Sequence, residues 1–142
     1  MVSHWNEEMN LFLDTSCLVS FFISDIHNQQ VKPVIEKIVR GEIKGVMSAL
    51  SLAELCGAVR RRTEEATANQ VKNDMAVLVK KGVVRIIPIT NLDAFMASEL
   101  AISTGLRGAD AVIVNAAKEA GCDLFTFDEE IKARAKGVVV LY

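Results

Sequence analysis

The sequence predicts a three-layer α/β/α domain, with helices on both faces of a central, mainly parallel sheet of about five strands. Short, continuous apolar runs alternate with longer segments whose apolar residues recur at helical spacing, as in residues 11–13 and then 31–39. Hydrophobic residues make up 51% of the 142 residues, but only six Phe, one Tyr and one Trp occur, so the core is aliphatic. Without a Pro-, Gly- or Ser-rich linker, residues 1–142 are expected to form a single domain.

The first strand and the two helices after it follow from apolar runs and their boundary residues. A short apolar run over 10–13 leads into Asp14, and the cap-like sequence Asp14-Thr15-Ser16 opens a helix over 16–24. A second helix is expected over 28–40, with Pro33 close to its first turn, where proline is tolerated. Gly41 then ends this helix.

A second strand and two further helices complete the first half of the chain. Either Ser48 or Ser51 caps the helix that follows the strand. The sequence Ser51-Leu52-Ala53-Glu54 matches a capping box, in which the glutamate folds back onto the start of the helix. In order, the strand and the two helices are expected over 45–47, 51–62 and 64–80.

The second half continues the alternation of strands and helices. Asn91 is expected to cap one helix, and Gly108-Ala109-Asp110 opens another that is apolar on nearly every side and ends at Gly121. In order, we expect a strand over 83–87, helices over 91–104 and 111–120, a strand over 124–127, a short charged helix over 129–136 and a last strand over 138–141.

Four acidic residues occupy positions from which they can form one site. Asp14 and Asp128 each follow a predicted strand, and ligands bind outside the carboxyl ends of parallel strands. Glu54 and Asp110 lie in helical segments that are otherwise apolar. Each acid also has a structural alternative. Asp14 and Asp128 can cap helices, and Glu54 can complete the capping box. Asp110 lies in the first turn of a helix, where the helix dipole stabilises a negative charge.

The four carboxylates together predict a metal site. Clustered carboxylates repel and raise one another's pKa, so a fold gathers them only around positive charge. Oxygen ligands without His or Cys suit Mg²⁺ or Mn²⁺. Such an ion lowers the pKa of a bound water and stabilises charge on a leaving oxygen, which is the chemistry of phosphodiester hydrolysis.

Four motifs in this order resemble those of PIN-domain nucleases, which include the VapC-like toxins of toxin–antitoxin pairs. The resemblance covers residues 10–141, and its motifs are LDTS around Asp14, LAEL around Glu54, GADAVIV around Asp110 and TFDEE around Asp128. It implies a divalent-metal-dependent endoribonuclease whose cofactor is Mg²⁺ (or Mn²⁺). Asp14 would be the central metal ligand, and the other three acids would complete the catalytic pocket.

The resemblance also implies residues around the metal. Thr15 and Ser16 would hydrogen-bond about the site and contact substrate. Arg107 lies one turn before Asp110 and either contacts a substrate phosphate or pairs with that carboxylate.

The fourth acid has two rivals in the sequence. Asp128 is the expected member of the site, but Glu129 follows it directly and Asp123 precedes it by five residues. Asp123 lies in a Gly121-Cys122-Asp123 turn, which favours a solvated surface position.

Three partners are expected from the resemblance: an RNA substrate, an antitoxin protein and a second copy of the chain in a homodimer. Phe21, Phe22 and Ile23, with the apolar side of the helix over 31–39, either form the antitoxin groove or pack in the core. The basic residues 60–62 either guide RNA or form a solvated face.

Composition excludes several other classes of protein. A net charge of −2 disfavours coating nucleic acid through bulk positive charge. Three widely spaced cysteines and two histidines, His4 and His27, do not form a zinc site. Neither a signal peptide nor an apolar run of about 20 residues is present, so a cytoplasmic protein is expected, without contact to a membrane.

Two alternatives to a nuclease remain. A PIN-like domain without activity would act as a binding or regulatory protein, although nothing else obviously keeps four acids together. A magnesium-dependent aspartate phosphohydrolase of the haloacid-dehalogenase type needs a second aspartate two residues after Asp14, where this chain has Ser16.

Overall fold

The computed structural model describes residues 9–142, so His4 lies outside the described residues. The helices begin and end within a few residues of the positions that the sequence predicts. In chain order the elements are β1 (Asn10–Leu13), α1 (Thr15–Ile23), α2 (Asn28–Val39), β2 (Lys44–Ser48), α3 (Ala49–Arg62), α4 (Glu65–Lys80), β3 (Val84–Ile87), α5 (Asn91–Thr104), α6 (Gly108–Glu119), β4 (Asp123–Phe125) and α7 (Glu129–Arg134).

The described strands form a parallel sheet in the order β3-β2-β1-β4. From β1 the chain moves outward through β2 and β3, and it then returns to the other side of β1 to form β4. At such a switch point the two crossovers leave the sheet in opposite directions and open a crevice at the carboxyl ends of the strands. Asp14 follows β1 and Asp128 lies just beyond β4, so both border this crevice.

Helices cover both faces of the sheet, which confirms the predicted three-layer α/β/α fold. Leu11 and Leu13 of β1 pack into one core with residues of α1, α2, α3 and α4. Phe12, which points the other way, packs into a second core with residues of α5, α6 and α7. All three side chains are at most 1% exposed. Burying a side chain of this size stabilises the fold by about 1.5–3 kcal/mol.

The last predicted strand does not form as a strand, and the sheet has four strands within residues 9–142. Leu141 instead makes an isolated parallel bridge to Leu124. The Leu124 N–H donates to the Val140 carbonyl at 2.8 Å, and the Tyr142 N–H donates to the Leu124 carbonyl at 2.9 Å. β4 is only three residues long, so the last segment pairs around one residue and does not extend into a ladder.

The structure decides between the two caps predicted for α3, and it shows that the capping box predicted at Ser51 and the cap predicted at Asn91 are wrong. Ser48, not Ser51, caps α3, and its hydroxyl accepts the N–H of Leu50 at 3.2 Å. The capping box predicted at Ser51 therefore does not form. Thr90, rather than Asn91, caps α5 in a true capping box with Asp93.

The apolar side of α2 is part of the core, which confirms the second of its two predicted roles, core packing rather than an antitoxin groove. The residues concerned are at most 8% exposed and belong to the first core: Val31, Val34, Ile35 and Ile38. Phe21, Phe22 and Ile23 are half-buried against the same core. Over the described part of the chain, the helices are too short or too polar to cross a bilayer.

Candidate active site

Asp14 is a buried carboxylate at the carboxyl end of β1, with 4% of the residue exposed. Its backbone N–H donates to the Phe125 carbonyl at 3.0 Å, which ties it to the end of β4. Although Asp14 occupies the N-cap position of α1, its side chain makes no capping hydrogen bond. Its Oδ2 instead accepts hydrogen bonds from the hydroxyls of Ser16 and Thr126, both at 2.7 Å. The Asp14 carboxylate is therefore fixed by side-chain hydroxyls and does not act as a helix cap.

The same two hydroxyls connect Asp14 to the loop after β4. Ser16 Oγ accepts the N–H of Phe127 at 3.1 Å, and Thr126 Oγ1 accepts the N–H of Asp128 at 3.0 Å. Each hydroxyl thus donates to Asp14 and accepts from the backbone. Among the described residues these bonds reach only Oδ2 of Asp14, so Oδ1 is left for a ligand.

Glu54 enters the site from α3 and meets α1 through a hydroxyl. Thr15 Oγ1 donates to Glu54 Oε1 at 2.7 Å and lies 3.0 Å from the hydroxyl of Ser51. Ser51 and Glu54 share a helix face because they are three residues apart. The glutamate is therefore held across two helices, not folded back on its own helix as the capping box predicted.

Asp128 caps α7 and borders the crevice at the same time. Its Oδ1 accepts the N–H groups of Glu130 and Ile131 at 2.9 and 3.0 Å. Asp128 thus caps a helix, as its structural alternative predicted, and uses one carboxylate oxygen to do so. As with Asp14, hydrogen bonds hold one oxygen, and the carboxylate is half-buried.

The two rivals of Asp128 lie away from the crevice. The Glu129 side chain is 87% exposed and lies 3.7 Å from Lys132 Nζ. Asp123 begins β4, so it stands at the opposite end of the strand from Asp14 and Asp128. This geometry favours Asp128 as the fourth acid.

Asp110 lies in the first turn of α6 and has a pKa raised to about 6. Burial is the largest cause, followed by the negative charge of Asp128 and then that of Asp14. Arg107 opposes the increase, and Glu54 adds to it. Because charges act on a pKa only over short distances, the four predicted acids share one electrostatic environment.

Arg107 makes a different contact from the one predicted with Asp110. Its guanidinium lies 3.2 Å from Glu130 Oε2, and the other oxygen of Glu130 accepts from Arg134 Nε, also at 3.2 Å. Arg134 in turn donates to the Thr104 carbonyl at 3.1 Å. The Arg107 side chain is 75% exposed, and solvent screens such surface pairs strongly, so Arg107 can exchange Glu130 for another anion.

Sequence reasoning missed two hydroxyl residues of this site, Thr126 and Ser51. Thr126 is 4% exposed and Ser51 is fully buried. Thr126 stands between two phenylalanines, and Ser51 was assigned to a cap. A hydroxyl within an apolar run, two residues before an acid, is the signal that would have singled out Thr126.

The donor set suits a hard divalent cation, but it does not form a closed cage. Within residues 9–142, no three His, Cys, Asp or Glu side chains converge closely enough to hold a metal ion. Mg²⁺ keeps several waters and takes one or two carboxylates directly. The free oxygen of Asp14, whose charge also acts on Asp110, fits this mode of binding.

Comparison with known proteins identifies the family. The family model described as PIN domain matches residues 11–137, whereas comparison with curated protein sequences gives no match. VapC20 from Mycobacterium tuberculosis, a Sarcin-Ricin loop cleaving toxin, is 19% identical over 87% of this chain and 93% of its own, with a TM-score of 0.71. VapBC2 from Rickettsia felis, bound to a promoter DNA fragment, is 22% identical over 94% and 98%, with a TM-score of 0.67.

A toxin-antitoxin complex from Klebsiella pneumoniae is 17% identical, over 85% of this chain and 89% of its own, with a TM-score of 0.62. At these identities the solved structures show the shared fold. The family model covers both strands that end at the acidic crevice and all four acids. The chain belongs to the PIN domain family.

Proposed function

We propose that this chain is a divalent-metal-dependent endoribonuclease that hydrolyses RNA phosphodiester bonds, and that it is the toxin of a toxin–antitoxin pair. Two observations support this proposal: Asp14 keeps one oxygen free at the carboxyl end of β1, and the pKa of Asp110 is raised by burial and by the charges of Asp128, Asp14 and Glu54. Membership of the PIN domain family supports the nuclease, and the solved toxins of the same fold support the biological role.

Each acid has a proposed role toward Mg²⁺ or Mn²⁺. Asp14, through its free oxygen, and Asp110 are the proposed direct ligands, and Glu54 and Asp128 complete the pocket, Asp128 through a water. When bound, the ion supplies a Lewis acid and lowers the pKa of a coordinated water. The protein's own contribution is to hold these carboxylates at the crevice.

The neighbouring polar residues have two different proposed roles: some position the carboxylates, and one binds the substrate. Thr15 and Ser16 donate their hydroxyl hydrogens to Glu54 and Asp14, so their proposed role is to position these carboxylates beside the substrate. Arg107 is exposed and held only by a surface ion pair, so its proposed role is to bind a substrate phosphate.

The first test is cleavage of an end-labelled single-stranded RNA in Mg²⁺, in Mn²⁺ and in EDTA. Cleavage is expected with either metal and is expected to be lost in EDTA. Without a cation, the negative carboxylates would repel the negative phosphate. Thermal unfolding with and without Mn²⁺ provides a second readout, in which a bound ion raises the Tm.

Different outcomes identify the alternatives. Absence of both cleavage and any Mn²⁺-dependent rise in Tm would point to an inactive binding domain. A phosphate covalently attached to Asp14, detected by mass spectrometry, would point to the aspartate phosphohydrolase.

We also propose a homodimer, whose interface is an apolar stripe on α5. Leu92, Phe95 and Ile102 are 68%, 74% and 86% exposed and share one face of this helix. In a dimer with a two-fold axis the same patch of each copy meets the other, and an apolar stripe can be buried in this way. Light scattering should therefore give a dimer for the native chain and a monomer for Phe95→Glu. Val77→Glu, at an exposed apolar position on α4, is the matched control and should stay dimeric.

A further inference from the structure

A second feature adjoins the acidic site: an open cleft of about 300 Å³ between α1, the end of α3 and the loop after β4. Ser16 and Asp128 form its side toward the acids, and His27, Phe127 and Arg62 line the rest. The proposed metal site does not require an aromatic pair or a cation at this position, so these residues call for a separate explanation. The cleft lies at the small end of the usual range for ligand pockets, about 300–1,000 Å³.

The aromatic part of the cleft is a stacked pair. The rings of His27 and Phe127 are nearly parallel, with an interplanar angle of 8° and centroids 4.2 Å apart. Phe127 also meets Phe125 edge to face at 5.2 Å, which anchors the pair to β4. Flat aromatic surfaces of this kind bind nucleobases by stacking, with little dependence on base identity.

The loop between α1 and α2 holds His27 in place before any ligand binds. Asp25 accepts the His27 backbone N–H with one carboxylate oxygen and the Ser20 hydroxyl with the other, both at 2.9 Å. Asn28 donates from its amide to the carbonyls of Ser20 and Phe21, each at 3.2 Å. Ser20 is 2% exposed, so this network is part of the fold. Asp25 also lines the cleft, and both of its carboxylate oxygens are bonded within the loop. The backbone at His27 is therefore ordered in the free protein, so that binding a ligand does not require the loop to become ordered.

Arg62 supplies the cation of the cleft. It is the last residue of α3, in the run Arg60-Arg61-Arg62, and it is the member of that run that lines the cleft. Among the described residues, Arg62 takes part in none of the ion pairs. A guanidinium without an ion-pair partner is well suited to bind a phosphate.

We propose that this cleft binds one unpaired nucleotide of the RNA, next to the phosphodiester that is cleaved. Its base packs against the His27–Phe127 pair, and Arg62 binds its phosphate. The inference rests on the proposed nuclease function and adds a substrate class to it. A base in a duplex is already stacked between its neighbours, so the cleft selects single-stranded RNA or a loop.

The test measures RNA binding separately from cleavage. Asp110→Asn protein and a short fluorescein-labelled single-stranded RNA are titrated in Mg²⁺, and anisotropy gives the Kd. Adding either His27→Ala or Arg62→Ala is expected to weaken binding by about tenfold, the size of one stacking or charged contact. The matched controls are His27→Phe, which keeps a flat ring, and Arg60→Ala, which removes the same charge outside the cleft. Both are expected to stay within about twofold of the parent.

Cleavage by otherwise native protein separates this inference from the function it rests on. His27→Ala should raise KM with a smaller change in kcat, because the cleft binds substrate without touching the reacting atoms. Duplex RNA of the same sequence should bind more weakly than the single strand. Native cleavage together with unchanged binding by His27→Ala, or with equal losses for Arg60→Ala and Arg62→Ala, would overturn the cleft and leave the nuclease standing. Absence of native cleavage with every metal would overturn both.

Discussion

Asp110→Asn is expected to reduce RNA cleavage by about a hundredfold or more while making the metal-free protein more stable. Asparagine keeps the size of the side chain but removes the negative charge that the proposed metal ion requires. The same charge is unfavourable without metal, because burial and the charges of Asp128 and Asp14 raise the pKa of Asp110 to about 6. Activity and stability therefore move in opposite directions in this variant.

The stability effect has a defined pH dependence. Asp110 has a higher pKa in the folded chain than in the unfolded chain, so between about pH 4 and about pH 6 only the folded state holds the proton. The free energy of unfolding in EDTA should therefore fall as pH rises through this window and level off above it. After allowance for the partial exposure of Asp110, the loss is about 1–2 kcal/mol. Asp110→Asn should lack this loss.

Urea unfolding of the two proteins in EDTA across this pH range measures the difference directly. Adding Mn²⁺ at neutral pH should reverse the order, because the native protein gains stability from the bound ion and the variant gains less. If both proteins lose stability in parallel as pH rises, the raised pKa belongs to another group. If Asp110→Asn cleaves RNA like the native protein, Asp110 lies outside the catalytic site.

Thr126→Val is expected to cost about 1–3 kcal/mol of the free energy of unfolding and to reduce cleavage by about 10–100-fold. Valine has nearly the shape of threonine, so the change removes a hydroxyl without opening a cavity. Asp14 Oδ2 loses one of its two hydroxyl donors, and the N–H of Asp128 loses its acceptor. One substitution thus weakens the support of both Asp14 and Asp128, whose side chains keep only their bonds to Ser16 and to the start of α7.

Thr126→Ser is the matched variant, since it keeps the hydroxyl and removes only a methyl group. Urea unfolding and RNA cleavage should place it much closer to the native protein than Thr126→Val. Metal affinity, followed by the Mn²⁺-dependent rise in Tm, distinguishes a positioning role from general destabilisation. Thr126→Val with a lower Tm but native Mn²⁺ affinity would remove Thr126 from the site.

The sequence alone determined the fold class and the candidate residues of the site. Apolar runs of strand length alternate with helical segments, and a sheet buried on both faces is the arrangement that satisfies all of them. In such a sheet the carboxyl ends of parallel strands lie at one edge, which is why Asp14 and Asp128 were expected together. Glu54 and Asp110 were singled out as candidates because burying a charge in an apolar helix is costly unless it has a partner.

Only the tertiary structure decided how those residues are held. Thr126 and Asp14 are 112 positions apart, and Thr15 and Glu54 are 39 apart, so neither hydrogen bond leaves a periodic signal in the chain. Ser51 matched a local capping pattern, but burial between α1 and α3 directs its hydroxyl to Thr15. Asp110 is the acid nearest to Arg107 in the sequence, but Arg107 pairs with Glu130, which follows it by 23 residues. Local patterns predict backbone elements well because those bonds are local, whereas side-chain partners depend on which elements come to lie side by side.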